Sequence, residues 1–445
     1  MIGNRSNPMR GVAKSLAAAA CLLDLAAAPA SAQIAPPLAA VAANPGPSYL
    51  TPAPLRANNP LLQKSRDYTG IPLAGWMLYP EFLGEAIYND NLALTAAQPR
   101  GAAGVHLHPD LYALHDNGLT KTELFAAVDA YVYPGAPRDT QIGATVGAAE
   151  TFAPTPDLTI KGQMQFDRLG GFASGGDVIG PNGAATPLIA PAQANRAQAS
   201  AAVQKSFGRL FLGASVNVAG TRYDALETAV GSLSQSYRNS LVTTLTQRGG
   251  YWITPLLYGY AETSENWRQY AGAALQSHGY RAVVGAGSDR LGLFRGEAFA
   301  GYQTQFYQAP LPSAVASPVL GAKLYWYPTR ALTVSASADA TFTDSSNPTP
   351  LNPRGDPARD LSASLSASYQ LHKRWSATAF ASIDRAYYIG TSRIDTTYFG
   401  STRLQYSISR SADATLSYTI VKANSNAAGG GYVDDIASLG ALYHF

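Results

Sequence analysis

From about Trp76 to the C-terminus, hydrophobic and polar residues alternate with a period of two. In Leu158 to Asp167, Leu158, Ile160, Gly162, Met164 and Phe166 fall on one face, and Thr159, Lys161, Gln163, Gln165 and Asp167 on the other. In Leu332 to Thr343, Leu332, Val334, Ala336, Ala338, Ala340 and Phe342 alternate with Thr333, Ser335, Ser337, Asp339, Thr341 and Thr343. Phe294 to Gln305, Leu361 to Leu371, Trp375 to Asp384 and Tyr398 to Ser409 follow the same rule. A period of two is that of a β-strand, whose successive Cβ atoms point to opposite faces. Soluble strands average about 5 or 6 residues. These stretches run to about 10 to 14, the length that lets a strand tilted near 45° cross the hydrocarbon of a bilayer.

The connections alternate as well. The short set is Asn117-Gly118, Ala153 to Pro156, Gly208-Arg209, Arg248 to Thr254, Ser288 to Gly292, Pro328 to Arg330, His372 to Arg374 and Arg410 to Ala412. Between them lie longer stretches rich in Gly, Pro, Asn and Asp: Asn89 to Gly104, Gly170 to Asn195, Asp224 to Ser236, Ser264 to His278 and Asp344 to Arg359. Short periplasmic turns and long outer loops are the pattern of a transmembrane antiparallel up-and-down β-barrel. This all-β reading gives about 18 strands with both termini in the periplasm. Pro134 to Asp139 is short for an outer loop and Gly279 to Gly287 is a glycine-rich strand, so 16 is the alternative count.

The N-terminus adds an address. Arg5, Arg10 and Lys14 precede an apolar run from Leu16 to Ala28, and Ala30-Ser31-Ala32 supplies small residues for cleavage, so residues 1–32 read as a secretory signal peptide. Asp24 interrupts the apolar run. Cys21, the single cysteine, lies in this segment, so the mature chain has neither disulfide nor thiolate metal site. Residues 33–70 form a Pro/Ala-rich periplasmic leader, and 71–445 the barrel. Beyond the signal there is no uninterrupted apolar run of about 18 residues, so crossing must be by strands closed into a barrel. Losing Arg5, Arg10, Lys14 and Asp24 leaves 29 basic against 28 acidic residues, a balance that gives no reason to expect a nucleic-acid partner. The last residues, Ser438-Leu-Gly440-Ala-Leu-Tyr443-His-Phe445, put Leu439, Ala441, Tyr443 and Phe445 on one face and end on an aromatic. Gly440, Tyr443 and Phe445 resemble the C-terminal signal read by the barrel assembly machinery, and the other expected partner is outer-membrane lipid.

If small and apolar positions face lipid, the inward charges are Glu81, Glu85, Asp110, Glu123, Asp129, Asp167, Glu297, Asp339 and Asp384, with Lys161, Arg238, Arg248, Arg281, Arg295, Lys323 and Arg403. A barrel of this size is wide enough for an aqueous channel, where such charges set ion preference; pairing across strands is the competing role for each. His106 and His108 share a strand face, with His115 farther on, and a metal site could be drawn from them with Asp110; polar wall residues at that spacing are commoner. No serine or threonine has a recognisable histidine partner and no Gly-rich phosphate loop opens a helix, so neither enzyme activity nor a cofactor is expected. Tyr131, Tyr133, Tyr223, Tyr302, Tyr307, Trp326, Tyr327, Trp375, Tyr387, Tyr388 and Tyr443 fall near strand ends, where aromatic rings suit the headgroup level.

Leu78-Tyr79-Pro80 followed by Tyr88-Asn89-Asp90-Asn91 resembles the opening strand of the putative beta-barrel porin 2 family, with Asn89 replacing the usual acid. Leu324-Tyr-Trp326-Tyr-Pro328-Thr329-Arg330-Ala-Leu332-Thr333-Val334 resembles a hairpin of the same family. The resemblance spans roughly Asp67 to Phe445. It implies an outer-membrane barrel with a porin-like role and brings no catalytic residue; some members are associated with exopolysaccharide export. The expected function is a channel for passive diffusion of small polar solutes. The alternatives are an export component with a periplasmic partner on the leader, and a structural or adhesive barrel with a plugged interior.

Overall fold

The structure, a computed structural model, describes residues 70–445 apart from 93, 95–98, 171–176, 180–184, 188–192, 229–230, 235, 237–238, 272–275, 308–313, 344–357, 390–391 and 427–430. The signal segment and all but the last residue of the leader therefore lie outside the described residues, as does Arg238.

Eighteen long strands make the wall. They are β1 (Trp76–Asn89), β2 (Ala102–Asp116), β3 (Thr120–Val132), β4 (Gln141–Thr155), β5 (Leu158–Gly170) and β6 (Gln193–Phe207). Next come β7 (Leu210–Tyr223), β8 (Ser240–Trp252), β9 (Leu257–Tyr270), β10 (Ser277–Leu291), β11 (Phe294–Tyr307) and β12 (Ala314–Trp326). The last six are β13 (Leu332–Thr343), β14 (Ala358–His372), β15 (Trp375–Tyr388), β16 (Ile394–Ser407), β17 (Ala412–Ser425) and β18 (Tyr432–His444). Each pairs antiparallel with its neighbours in sequence, and β1 pairs with β18, from Glu81 opposite His444 to Asn89 opposite Ile436. The sheet thus closes on itself, which leaves no edge whose N–H and C=O groups lack a partner strand. A three-residue extension, Ile71–Leu73, folds back on the start of β1. Two ribbons, Asp177–Ile179 with Ala185–Pro187 and Leu226–Thr228 with Gly231–Leu233, lie within long connections.

One end of the barrel carries the tight turns, and their residues explain why they are tight. Asn117 Oδ1 accepts hydrogen bonds from the N–H groups of Leu119 and Thr120 at 3.0 and 2.8 Å. Thr254 Oγ1 does the same for Leu256 and Leu257, and Thr329 Oγ1 for Ala331 and Leu332. Such side chains replace the backbone acceptor a turn lacks. Between Phe207 and Leu210, Gly208 adopts φ +64°, which a hairpin of two loop residues requires and a β-carbon would strain. Beside the next turn Lys205 Nζ lies 2.5 Å from Asp157, and this contact holds the exposed Asp157 carboxyl below its usual range.

Eighteen strands, not sixteen, fit the closure. The connection at residues 133–140 contains a one-turn 3-10 helix, Pro137–Asp139, and Gly279 to Gly287 sits inside β10, fully paired to both neighbours. Asp139 is buried, which pushes its carboxyl up despite the nearby Arg100. Several connections are shorter than expected: Ser288 to Leu291 belongs to β10 and Ala153 to Thr155 to β4, and two differences are larger. Ser264 to Tyr270 continues β9 rather than opening a loop, and Arg248 to Trp252 belongs to β8, so the turn begins at Ile253. The polar run Ser264-Glu265-Asn266 lies toward the long-loop end, where a strand can be polar on both faces and still keep its ladder.

Register fixes which residues look inward. Along the strands buried positions fall on one parity and exposed apolar residues on the other: Glu85, Ile87 and Asn89 against Phe82, Ala86 and Tyr88 in β1, and Gln163 and Asp167 against Ile160, Met164 and Phe166 in β5; in β2 Ala113 is buried beside inward Tyr112. The inner parity also carries aromatic rings, and five of them sit in register opposite a glycine. Phe125 faces Gly147, Phe211 faces Gly250, Tyr258 faces Gly287, Tyr260 faces Gly285 and Phe299 faces Gly321. A β-carbon on any of these glycines would meet its partner ring at 2.1–2.4 Å. The rings rest over bare backbone, covering ladder that a glycine would leave exposed. Phe211, Tyr258, Tyr260, Val283 and Val319 join there into one apolar cluster backed by Trp252 and Phe299.

Candidate functional site

The interior wall holds nearly every charge predicted to face inward, and it gathers them into clusters. Inner-parity positions include Glu81 and Glu85 on β1, Glu123 and Asp129 on β3, Lys161 and Asp167 on β5, and Arg281 on β10. They also include Arg295 and Glu297 on β11, Lys323 on β12, Asp339 on β13, Asp384 on β15 and Arg403 on β16.

The densest cluster spans β8 to β11. Glu297 accepts hydrogen bonds from Arg248 Nη2 at 2.7 Å, Tyr260 OH at 2.6 Å and Tyr258 OH at 2.9 Å. Arg281 Nη1 lies 3.0 Å from Glu262 Oε1, a carboxylate with no exposed side-chain surface. The guanidinium of Arg248 sits 3.6 Å from the centre of the Tyr260 ring, and that of Arg281 4.8 Å from the Phe299 ring. The glycine-seated rings thus serve as stacking platforms for cations. Lys323 is 5.4 Å from the Tyr325 ring on the neighbouring stretch of wall, and Arg295 makes a long contact of 3.9 Å with Asp289.

A second cluster straddles the closing seam. Glu85 lies opposite His106 in register, with Oε2 3.0 Å from His106 Nδ1. Its other oxygen accepts from Thr415 Oγ1 at 3.0 Å and from Arg403 Nη2 at 3.4 Å, so one carboxylate on β1 reaches across β18 to β17 and β16. On the far side of His106, Nε2 is 2.6 Å from Asp129 Oδ1, and His108 Nδ1 is 3.3 Å from the same oxygen. The Tyr131 ring stacks on His106 at 4.2 Å with an interplanar angle of 5°. The carboxylate that joins the two histidines is therefore Asp129, rather than Asp110 two residues along their own strand. The pairs Leu107–Ala130 and Asp110–Ala127 put Asp129 across from His108. The Asn117-Gly118 turn sets that register and was the available clue.

The remaining predicted residues are more scattered. Glu123 contacts Lys121 Nζ at 2.8 Å and receives the Tyr112 hydroxyl. Asp167 accepts from Thr145 and Gln165 at 2.9 and 2.7 Å. Asp384 is exposed toward the interior. Near the short-turn end an unpredicted group joins Asp413 to His444 Nε2 at 3.1 Å and to Gln405 Nε2 at 2.8 Å. On β18 Gly440 faces inward against β1, while Leu439 and Tyr443 face outward and the Tyr443 and Phe445 rings meet edge to face at 5.0 Å.

The aromatic residues near strand ends divide between the two faces of the wall. Tyr302, Trp326, Trp375 and Tyr443 are exposed on the outer parity and Tyr327 is exposed just past the end of β12, but Tyr131, Tyr133 and Tyr388 are buried and look inward. Tyr131 shares its parity with Asp129, Tyr133 packs with Leu92 and Ile87, and Tyr388 donates to Asp395 at 3.0 Å. Proximity to a strand end places a ring along the barrel axis; only parity decides its face.

Comparison with solved structures finds barrels of low sequence identity. The BenF-like porin of Pseudomonas fluorescens Pf-5 is 9% identical, with TM-score 0.44, 84% of this chain covered and 100% of that one. OccAB4 of Acinetobacter baumannii is 10% identical, with TM-score 0.42 and coverages of 83% and 98%. The siderophore receptor PirA of Pseudomonas aeruginosa is 11% identical, with TM-score 0.40 and coverages of 84% and 81%. No curated protein matches the sequence. The family model for putative beta-barrel porin 2, by contrast, matches residues 65–445, which takes in every wall strand from β1 to β18, and the chain belongs to that family.

Proposed function

We propose that the chain resides in the outer membrane and conducts small polar solutes by passive diffusion. The observation that carries this reading is the two-sidedness of a closed wall. Outward, Met164, Val284, Leu320, Leu365, Leu416 and Leu439 stand exposed on strands around the whole circumference, a surface suited to hydrocarbon. Inward, carboxylates, guanidinium groups and amides alternate with rings that lie over glycine. A ring seated on bare backbone intrudes less on the interior than one standing on another side chain, and a wall of this strand number encloses an aqueous passage. In this reading membrane lipid covers the outer parity, and the strand ending at Gly440, Tyr443 and Phe445 is the segment engaged by the barrel assembly machinery.

The test is electrical. Purified barrel reconstituted in planar bilayers is expected to show discrete conductance steps that scale with salt concentration; a folded barrel that inserts without conductance overturns the proposal. The outward facing has its own check. Ala338, on the exposed parity of β13, is expected to lose about 2–4 kcal/mol of folding free energy in liposomes on substitution Ala338→Arg. A neutral effect would place that face away from lipid.

A further inference from the structure

We propose that His106, His108 and Asp129 form an interior-facing binding site for a divalent transition-metal ion of the zinc class. Two imidazoles on β2 and one carboxylate on β3 bring one donor atom each to within 4.8 Å of one another. Two imidazoles and a carboxylate suit zinc and its neighbours rather than magnesium or calcium, which take oxygen ligands.

The geometry is close to that of a ligand set. With bonds of about 2.0–2.2 Å, donors around a tetrahedral ion stand roughly 3.3 Å apart. His108 Nδ1 and Asp129 Oδ1 already have that separation, 3.3 Å. His106 Nε2, at 2.6 Å from the same oxygen, needs to open by about 0.7 Å to reach that separation. Both imidazole nitrogens approach the same Asp129 oxygen, so all three donor atoms lie side by side.

The support behind the first ligand is an independent observation. Glu85 Oε2 lies 3.0 Å from His106 Nδ1, so Nδ1 keeps its proton when an ion displaces the one that Nε2 shares with Asp129, and Nε2 is then the ligand nitrogen. A carboxylate behind a metal-binding imidazole fixes its tautomer and raises its basicity. Glu85 is itself held by Thr415 and Arg403, and Tyr131 stacked on the ring fixes its plane. His106 is buried, whereas His108 and Asp129 each keep 31% of their side-chain surface exposed. An ion can therefore enter from the interior and keep an open position for water. Among the described residues, no other group of histidines and carboxylates brings three donors together in this way.

Co2+ is the probe, added to the full-length mature barrel refolded in detergent without an affinity tag. Wild type is expected to develop ligand-field absorption bands that saturate at one Co2+ per chain and vanish when Zn2+ is added, with no displacement by Mg2+. The Glu85→Gln variant is expected to bind about 10–100-fold more weakly. His108→Asn, at a half-exposed position, is expected to leave the heat-modifiable gel migration of the folded barrel intact and to weaken binding by at least that factor. Absence of bands in the wild type at millimolar Co2+, or His108→Asn binding as tightly as wild type, overturns the site. Both readouts are independent of conductance, so a silent channel does not decide the question.

Discussion

Gly440→Val is expected to prevent the barrel from closing. Gly440 lies opposite Glu85 in the β1–β18 pairing, and a β-carbon there would meet the Gly84 carbonyl oxygen at 2.1 Å and the Glu85 Cα at 2.6 Å. Both of those atoms are backbone. At Gly250 the obstacle is an aromatic ring that can swing away; at Gly440 relief requires the two terminal strands to separate, and these are the strands whose pairing turns an open sheet into a barrel. The cost is expected at or above about 3 kcal/mol, the upper end of ordinary overpacking, with β1 and β18 left as unpaired edges. Folding into liposomes, followed as the heat-modifiable fraction on gels and by urea titration, measures it. Ala441→Val is the matched control, because Ala441 is exposed on the outer parity of the same strand and its added methyl groups point away from the seam. If both variants fold equally well, the tight seam is not what Gly440 serves.

The same seam shows what the sequence could and could not reveal. The period of two in Leu158 to Asp167 and Leu332 to Thr343 gives both strand and parity, since a closed wall with unlike sides imposes alternation on every residue. Asn117-Gly118 and Gly208-Arg209 mark hairpins because their side chains or φ values allow nothing longer. Strand ends are harder: at the rim neither face meets a uniform medium, so Ser264 to Tyr270 loses the alternation while keeping its ladder. Pairings beyond a tight hairpin are harder still. Glu85 meets His106 across the connection at residues 90–101, whose length leaves the register of β1 on β2 free, and meets Thr415 and Arg403 only because the barrel closes. The seating of Phe299 on Gly321 or Tyr260 on Gly285 is equally a product of register. Read one strand at a time, an inward Phe in β11 contradicts the rule that apolar residues face out; read against its partner, it is the cover for a glycine.

Glu297→Ala is expected to cost about 3–5 kcal/mol, the range for removing one partner of a buried ion pair. Glu297 gathers Arg248, Tyr258 and Tyr260 at 2.6–2.9 Å, with 9% of its own side-chain surface and 13% of that of Arg248 exposed. Alanine removes an acceptor shared by two tyrosine hydroxyls and the close carboxylate partner of Arg248, whose contact with Glu262 is longer, at 3.9 Å. Three predictions separate the terms. Glu297→Gln keeps acceptor and volume, so it is expected to retain part of the stability lost with alanine. Arg248→Ala alone is expected to be comparably damaging, since it takes the guanidinium partner from a largely buried carboxylate and leaves it the two tyrosine donors. The double variant is expected to be less destabilised than the sum of the singles, the excess being the coupling energy of the pair. Urea midpoints in liposomes give all four values. The outcome also bears on the passage itself: a loss below about 1 kcal/mol, the scale of a solvated pair, means that water reaches Glu297 freely and the cluster lines an open lumen at that level. A loss in the buried range means that the rings of Tyr258, Tyr260 and Phe299 seal the charges into the wall, and that solutes meet aromatic faces there rather than the carboxylate.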